Sequence, residues 1–151
     1  MLRAFTLVAA TVLLAPRAEA RLWESIAQTE ARYGRALQKF PDGSRGDEQR
    51  KYRFREFYVL VTFVRGRSEE EMYFHADGKT PFSERDIQLF LDINSGGKRW
   101  QKSREVPVWT LGGGRPESWS ALAAYYPKGR AAVPGLGIVS AARAKKQGLI
   151  P

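Results

Sequence analysis

"YVLVTFVRGRSEEEMYF", Tyr58 to Phe74, is the stretch of sequence that decides the fold. Its first part is almost wholly apolar and β-branched, and its inward positions recur every second residue, which is typical of a largely buried strand. Arg65 to Arg67 places a glycine between two cations and predicts a hairpin turn. Ser68 to His75 alternates again and predicts the returning strand. The stretch therefore predicts an antiparallel hairpin.

An amphipathic helix is predicted before this hairpin, over Leu22 to Tyr33. Trp23, Ile26, Ala27 and Tyr33 fall on or near one face of such a helix. Gly34 is well placed to end it in the left-handed conformation. A polar loop is predicted over Pro41 to Arg50, and the sequence leaves open whether Lys51 to Phe54 forms a separate short strand.

The second predicted helix has a stronger start signal. Ser83 and Asp86 have the spacing of a capping box, with Phe82 and Ile87 at the two positions of a hydrophobic staple. The helix is expected to end at "NSGGKRW", Asn94 to Trp100. A phosphate-binding loop would need its glycines before a helix, not after one, so this stretch is interpreted as a helix stop.

The rest of the chain is predicted to form strands and a tail. The three predicted strands cover Val106 to Leu111, Trp119 to Tyr126 and Leu136 to Ala141. Gly112 to Gly114 joins two strands and is interpreted as a hairpin connection, because a dinucleotide fingerprint would require a following helix. The basic tail, residues 142–151, is expected to be frayed or loosely docked.

The two halves of the chain repeat one order: helix, glycine stop, then strands joined by a basic glycine turn. Gly97 follows Gly34 by 63 positions, and Gly129 follows Gly66 by the same 63. At this offset "FVRGR" aligns with "YPKGR". The spacing predicts a duplication with sub-repeats at about residues 21–80 and 81–141. Chance matching among fourteen glycines is the alternative.

The N-terminus has the three parts of an export signal. Arg3 is followed by the apolar stretch Ala4 to Ala15 and by the small-x-small triplet Ala18 to Ala20. Residues 1–20 are therefore predicted to be a signal peptide cleaved near Ala20-Arg21, and residues 21–151 to form one domain. The protein is expected in the periplasm or outside the cell, with no transmembrane segment in the mature chain. A buried N-terminal helix is the alternative.

The basic excess is the most informative chemical feature of the chain. There are 25 Lys and Arg against 16 Asp and Glu, for a formal net charge of +9. A tight group of cations surrounds Trp100, and Lys51, Arg53 and Arg55 interleave with aromatic residues. Such charge attracts polyanions. Export argues against nucleic acid, which leaves another envelope protein or an anionic polymer or lipid surface as expected partners; a merely soluble basic protein is the alternative.

Catalytic chemistry has few candidate residues. His75 is the single histidine, and the chain has no cysteine, which removes thiolate nucleophiles and thiolate metal sites. A small hydrolase using His75 with Asp77 is an alternative hypothesis, and Glu69 and Glu71 are predicted to share one face of their strand. A solvated strand face is the interpretation preferred for the glutamates. No enzyme activity, cofactor or metal is expected.

The helix, the "RYG" stop and the hairpin together resemble small exported bacterial proteins built from αβ units. Two such units resemble the beta-lactamase-inhibitor-protein fold, and one unit resembles the small outer-membrane assembly lipoprotein family. The resemblance would carry over Gly34, Gly66, Gly97 and Gly129 as structural anchors. It implies a binding protein whose sheet presents aromatic and polar residues. The chain departs from both families in having no cysteine, and Arg35 stands where the lipoproteins favour a nearby proline.

The sequence thus predicts an exported α+β domain in which two similar halves form one antiparallel sheet, with helices packed on one face and the other face open. Its expected function is non-catalytic binding, or a structural role, in the cell envelope. Electrostatic association with an anionic polymer or lipid is the first alternative, and hydrolysis through His75 is the second. The predicted binding residues are Lys98, Arg99, Trp100, Lys102, Arg104, Tyr58, Tyr73, Trp119 and Tyr125; Tyr52 and Trp109 are further candidates for the open face.

Overall fold

Over the residues that the structure describes, the protein has a mixed α/β fold with one eight-stranded antiparallel sheet and three helices. The computed structural model describes residues 22–40, 47–113, 115, 118–129 and 131–150, so the predicted signal peptide lies outside the described residues. The helices are α1 (Ile26–Tyr33), α2 (Glu84–Ile93) and α3 (Ala141–Lys146); the strands are β1 (Gln38–Phe40), β2 (Asp47–Phe54), β3 (Phe57–Val64), β4 (Arg67–His75), β5 (Trp100–Lys102), β6 (Val108–Gly112), β7 (Trp119–Tyr126) and β8 (Gly135–Ser140). None of the helices in these ranges has the length and apolar character to cross a membrane.

The strand order is β1-β2-β3-β4-β8-β7-β6-β5, so two four-stranded meanders meet where β4 pairs with β8. That junction is antiparallel and aligns Glu71 with Ile138 and Tyr73 with Leu136. Each meander follows a helix, α1 in the first and α2 in the second. Descent of the two meanders from a duplicated unit stays a prediction.

The hairpin predicted from Tyr58 to Phe74 is confirmed as β3 and β4, joined by a turn in which Arg65 and Gly66 both have positive φ. The loop predicted up to Arg50 ends earlier, because β2 already begins at Asp47. The strand left open at Lys51 is thus the end of β2, and Arg55, with φ of 54°, turns the chain into β3. The short edge strands β1 and β5 had no sequence prediction.

Both long helices begin at capping boxes. Ser83 and Asp86 form the box predicted for α2, and Ser25 with Gln28 forms a second box that starts α1 later than the sequence analysis placed it. Thr29 and Tyr33 are the buried residues of α1, whereas Trp23 and Ala27 are exposed. The apolar periodicity therefore predicted the helix correctly, but it identified only some of the residues that the helix buries.

The main core lies between the sheet and helices α1 and α2. Phe90 of α2 is fully buried, stacks on Tyr73 with ring centroids 4.0 Å apart, and meets the edge of Phe57 at 5.0 Å. A smaller cluster lies on the opposite face, where Ala144 of α3 packs against Leu122 and Val139. The prediction that helices cover one face is wrong in this respect, since α3 covers part of the other face and the basic tail is docked through it.

A β-bulge in the central hairpin sets which side chains of β4 point inward. The register places Thr62 opposite Glu70 and Phe63 opposite Ser68, which leaves Glu69 as the extra residue. Ser68 and Glu71 are consequently both fully buried, although residues three apart on a regular strand face opposite sides. Glu69 and Glu71 therefore do not share a face as the simple alternation predicted.

Glu71 is the centre of a buried polar cluster that joins helices α1 and α2 to the sheet. Its Oε2 atom accepts hydrogen bonds from the hydroxyls of Tyr33, at 3.1 Å, and of Tyr73. The Tyr73 hydroxyl also accepts from Asn94 Nδ2 at 2.9 Å, and Arg32 Nη1 lies 3.6 Å from Glu71 Oε1. The cluster thus ties α1, β4 and the end of α2 together through atoms withdrawn from water.

Two buried tyrosines should make the fold sensitive to alkaline pH. Burial raises the pKa of Tyr73 well above its ordinary value of 10.0, with the neighbouring Glu71 adding to the rise, and burial raises the pKa of Tyr52 to about 12. Both groups favour the neutral form in the folded state. Their contribution to the free energy of unfolding is complete below the pKa that tyrosine has in the unfolded chain. Above that pKa the free energy of unfolding falls by about 1.4 kcal/mol per pH unit for each tyrosine, until the pH reaches the pKa of the folded state.

We expect urea unfolding between about pH 9 and 11.5 to show this loss as a falling free energy of unfolding. Tyr73→Phe should reduce the slope of that free energy against pH by the amount that one tyrosine contributes. Tyr58→Phe is the matched control, because Tyr58 lies partly exposed on the opposite face. An unchanged slope in Tyr73→Phe would contradict the assignment. The comparison uses slopes, so a general loss of stability in the variant does not affect it.

Candidate functional site

A concave surface lies between α2 and strands β5 to β7. It consists of two adjoining cavities of about 480 and 420 Å³ that share Gln88, Leu91, Lys102 and Trp109. We name it the tryptophan groove. The residues that line it are Phe82, Glu84, Ile87, Gln88, Leu91, Asp92, Ser95, Gly97, Lys98, Arg99, Trp100, Lys102, Pro107, Trp109 and Tyr125.

The end of α2 sets the position of Trp100. Buried Asn94 caps the helix, and Gly96 and Gly97, with φ of 55° and 78°, turn the chain back beneath it. Trp100 Nε1 then donates a 2.7 Å hydrogen bond to the backbone oxygen of Leu91 in the last turn of α2. "NSGGKRW" is thus a helix stop, as predicted, and it carries its tryptophan into the groove.

The rim of the groove has an excess of positive charge. Lys98, Arg99 and Lys102 are exposed, and Lys102 Nζ lies 5.6 Å from the centre of the Trp109 ring across the β5–β6 pair. Asp92 accepts a 2.6 Å hydrogen bond from Gln88 at the same rim. Cations above aromatic rings can hold a carboxylate while the rings contact the apolar part of the same ligand.

Five of the nine predicted binding residues line this groove: Lys98, Arg99, Trp100, Lys102 and Tyr125. Arg104 is exposed in the connection between β5 and β6, outside the lining. The four cations and Trp100 were predicted together because they are neighbours in sequence. Tyr125 joins them through the sheet, since its backbone amide bonds the Pro107 oxygen at 2.9 Å.

Three predicted binding residues lie elsewhere, and this corrects the predicted grouping. Tyr73 is fully buried beneath Phe90, so it cannot belong to an open face. Tyr58 lies on the opposite face of the sheet beneath Lys51, whose Nζ is 3.8 Å from the ring centre. Trp119 is also on that face and packs in the cluster around α3.

Trp109 lines the tryptophan groove, although the sequence analysis named it only as an open-face candidate and not among the binding residues. It is 8% exposed, contributes to both cavities and pairs with Lys102 on β5. Tyr52, the other open-face candidate, is fully buried. The cross-strand neighbour Lys102 was the available signal for Trp109, but it required the assignment of β5, a strand of three residues.

The acidic partner nearest to His75 in the structure is Asp86 rather than the Asp77 of the hydrolase hypothesis, which stays an alternative. Its Nε2 lies 3.7 Å from Asp86, the capping residue of α2, and its ring packs against Phe57 with centroids 4.4 Å apart. Asp77 accepts hydrogen bonds from the Thr80 hydroxyl and from the backbone amides of Thr80 and Lys79, which hold the pKa of its carboxyl well below the usual range. No group of His, Asp and Glu suited to a metal ion occurs among the described residues.

Comparison with solved structures gives distant likenesses, which include two secretory or extracellular proteins. No protein-family model and no curated protein matches the chain. A cysteine-rich secretory protein from Staphylococcus aureus is similar with a TM-score of 0.47 and 9% identity, over 82% of this chain and 46% of that one. An extracellular protein containing an SCP domain from Bacillus anthracis is similar with a TM-score of 0.48 and 11% identity, over 98% of this chain and 53% of that one.

The chain spans about half the length of each of these two proteins, with 46% and 53% covered. At this level of likeness neither protein bears on the activity of the chain.

Removing the indole N–H of Trp100 should destabilise the protein, because the backbone oxygen of Leu91 would keep only the hydrogen bond from the Asn94 amide, at 3.1 Å, and lose the shorter one from Trp100. Trp119→Phe is the matched control, since the Trp119 Nε1 is buried with no hydrogen-bond partner among the described residues. We expect Trp100→Phe to lower the free energy of unfolding by about 1–2 kcal/mol more than Trp119→Phe. Urea unfolding followed by circular dichroism measures the difference, and equal losses would show that the Trp100 bond contributes nothing.

Proposed function

We propose that this protein is an exported, non-catalytic binding protein of the cell envelope whose tryptophan groove holds an acidic segment of another envelope protein. The observation that carries the proposal is the placement of Lys98, Arg99 and Lys102 around a groove floored by Trp100 and Trp109. Tryptophan and arginine are the residues that most often dominate binding energy at protein interfaces. Groove and charge together favour a partner that is both acidic and partly apolar.

The shape of the groove supports this proposal over a purely electrostatic role. A charge-only surface needs no cavity, whereas the tryptophan groove has about 480 Å³ beside Trp100 and about 420 Å³ beside Tyr125. The lining of the groove also includes the apolar side chains of Leu91 and Ile87. A ligand seated there would be partly removed from water, where its charge contacts are strongest.

Association with an anionic polymer or lipid through charge alone is the second candidate. It is supported by the formal net charge of +9 and by exposed cations far from the groove, such as Lys145 and Lys146 on α3. Such binding would be distributed over many cations and strongly screened by salt. The two candidates thus differ in which cations matter and at what salt concentration binding survives.

Residence in the envelope rests on the N-terminal pattern of Arg3, an apolar run and Ala18 to Ala20. We further propose that the two meanders descend from one duplicated αβ unit, supported by the 63-residue glycine spacing and by the helix-then-four-strands order in each half. Edman sequencing of the protein recovered from an envelope fraction tests the export proposal. A mature N-terminus at Arg21 is the expected result, and retention of Met1 would contradict it.

Neutralising the rim should weaken the binding of an acidic ligand. The test titrates poly-L-glutamate into the protein at about 0.15 M salt, where the Debye length of about 8 Å suppresses long-range attraction. We expect Lys98→Ala/Arg99→Ala to weaken binding by at least about tenfold, which corresponds to about 1.4 kcal/mol. Tryptophan fluorescence is the readout, because Trp100 and Trp109 line the groove.

Lys145→Ala/Lys146→Ala is the matched control, because it removes the same charge from α3 on the opposite face. It should change the affinity by less than about twofold if the groove is the site. Equal weakening by both double variants, together with release of the ligand at moderate salt, would contradict the groove and favour association by charge alone.

A further inference from the structure

Strand β5 forms an edge of the sheet beside the tryptophan groove. It is the last strand in the order β1-β2-β3-β4-β8-β7-β6-β5, so among the described residues one side of it has no neighbouring strand. Trp100 and Lys102 of β5 line the groove, whereas Gln101 between them lies outside the lining. The other edge strand, β1, contributes no residue to that lining. β5 is therefore the place where a sheet edge and the groove meet.

Two hydrogen bonds near the start of β6 show which backbone groups face which neighbour. The amide of Ser103 donates to the Val108 oxygen at 2.8 Å, so Val108 faces β5. The amide of Tyr125 donates to the oxygen of Pro107, the residue just before β6, at 2.9 Å, so Pro107 faces β7. The two bonds thus fix the alternation of backbone direction along β6.

Two residues of β5 direct their backbone groups to the open side. In an antiparallel pair each strand bonds its neighbour at every second residue. Counting back from Ser103, Gln101 bonds β6, where it lies opposite Thr110. Trp100 and Lys102 lie at the alternate positions, so their N–H and C=O groups point away from β6. Within the part of the chain that the structure describes, no hydrogen bond reaches these groups.

A strand added on this side would place side chains beside the tryptophan groove. In antiparallel addition the residues that bond Trp100 and Lys102 lie directly opposite them, with their side chains on the same face of the sheet. That face carries the groove, because Trp100 and Lys102 both line it. The same residues of the added strand would therefore supply both the backbone hydrogen bonds and the groove contacts.

The charge of this edge favours an acidic strand. The sequence from Lys98 to Arg104 contains four cations and no Asp or Glu. An opposite charge directly across from Lys102 stabilises a strand pair, and a like charge destabilises it. A second copy of the chain, pairing through its own β5, would bring two sets of these cations together. An acidic segment of another protein therefore suits the edge better than a second copy does.

We propose that the acidic segment of the partner binds as an extended strand, added antiparallel to β5 and bonded to the backbone of Trp100 and Lys102. In recognition by strand addition, main-chain hydrogen bonds give affinity and alternate side chains give specificity. The inference rests on the proposed function, since it assigns the way in which the tryptophan groove holds its ligand. It requires an acidic residue opposite Lys102 and an apolar residue opposite Trp100.

The test titrates three peptides with blocked ends into the full-length protein at about 0.15 M salt, followed by calorimetry. The first is Thr-Glu-Thr-Leu-Thr-Glu-Thr. The second carries N-methyl groups on the amides of Leu and of the Glu before it, and the third carries them on the two threonines that flank Leu. We expect the second to bind at least about tenfold more weakly than the first and the third to bind within about twofold, because only the Glu and Leu amides face β5.

The three peptides separate this inference from the proposed function. Equal binding by both methylated peptides, or weaker binding by the third than by the second, would overturn the antiparallel strand. The groove proposal would still stand if the first peptide binds and loses affinity in Lys98→Ala/Arg99→Ala. A first peptide that does not bind would overturn the inference, and the poly-L-glutamate titration then decides the groove proposal separately.

A pair of variants tests the same contact from the side of the protein. Lys102→Ala removes the charge and keeps the backbone amide, whereas Lys102→Pro removes both. Proline is tolerated on an edge strand where the missing N–H would face solvent, so the pairing with β6 should survive. We expect Lys102→Pro to bind the first peptide at least about fivefold more weakly than Lys102→Ala, because it lacks the donor. Circular dichroism checks the fold of both.

Equal affinities of the two folded variants would overturn the inference, and the methylated peptides decide it if Lys102→Pro does not fold. A dimer of the free protein in sedimentation equilibrium that Lys102→Pro dissociates would show that a second copy of the chain pairs with β5. That result too would overturn the inference.

Amide hydrogen exchange reads the added strand directly. In the saturated complex with the first peptide, the amides of Trp100 and Lys102 should exchange at least about tenfold more slowly than in the free protein. Gln101 is the internal control, because its amide already bonds β6 and should change by less than about twofold. Unchanged exchange at Trp100 and Lys102 in a saturated complex would overturn the inference.

Discussion

The rest of the structure depends on one buried carboxylate. Glu71 is fully buried on the strand where the two meanders meet, and a carboxylate withdrawn from water is costly unless it is hydrogen-bonded or paired. Tyr33 and Tyr73 donate hydrogen bonds to it, and Arg32 supplies a positive charge 3.6 Å away. These partners come from α1 and from the sheet. The position of α1 on the sheet therefore has to supply the hydrogen bond and the charge that the buried Glu71 carboxylate requires.

The same cluster reaches the tryptophan groove through the end of α2. Asn94 donates to the Tyr73 hydroxyl and to the Phe90 oxygen, each at 2.9 Å, so the helix ends where the buried cluster requires it to end. The turn after Asn94 then carries Trp100 beneath Leu91. The position of the basic rim therefore depends on the buried hydrogen bond between Asn94 and Tyr73, although the rim residues take no part in that bond.

The two faces of the sheet differ because the helices cover them to different extents. Helices α1 and α2 cover one face with aromatic packing and leave the tryptophan groove at their margin, whereas the short helix α3 covers only part of the other face. A six-residue helix cannot shield three strands, so an apolar groove between strands β4, β8 and β7 and the segment after α3 stays open beside it. Both grooves are thus places where the sheet is wider than the helices that cover it.

The sequence by itself determined what depends on neighbours within a few residues: the central hairpin, the capping box at Ser83, the helix stop at Asn94 and the cluster of cations around Trp100. The tertiary structure alone decided which glutamate is buried, because the bulge at Glu69 reverses the simple alternation and Tyr33 lies 38 residues from Glu71. It also separated Tyr58, Tyr73 and Trp119 from the predicted site and added Trp109. Periodicity reports that a residue faces one side of its own strand. Which side that is follows from pairing between distant strands, such as β4 with β8, and from contacts such as that between Glu70 and Arg143 of α3 across 73 residues.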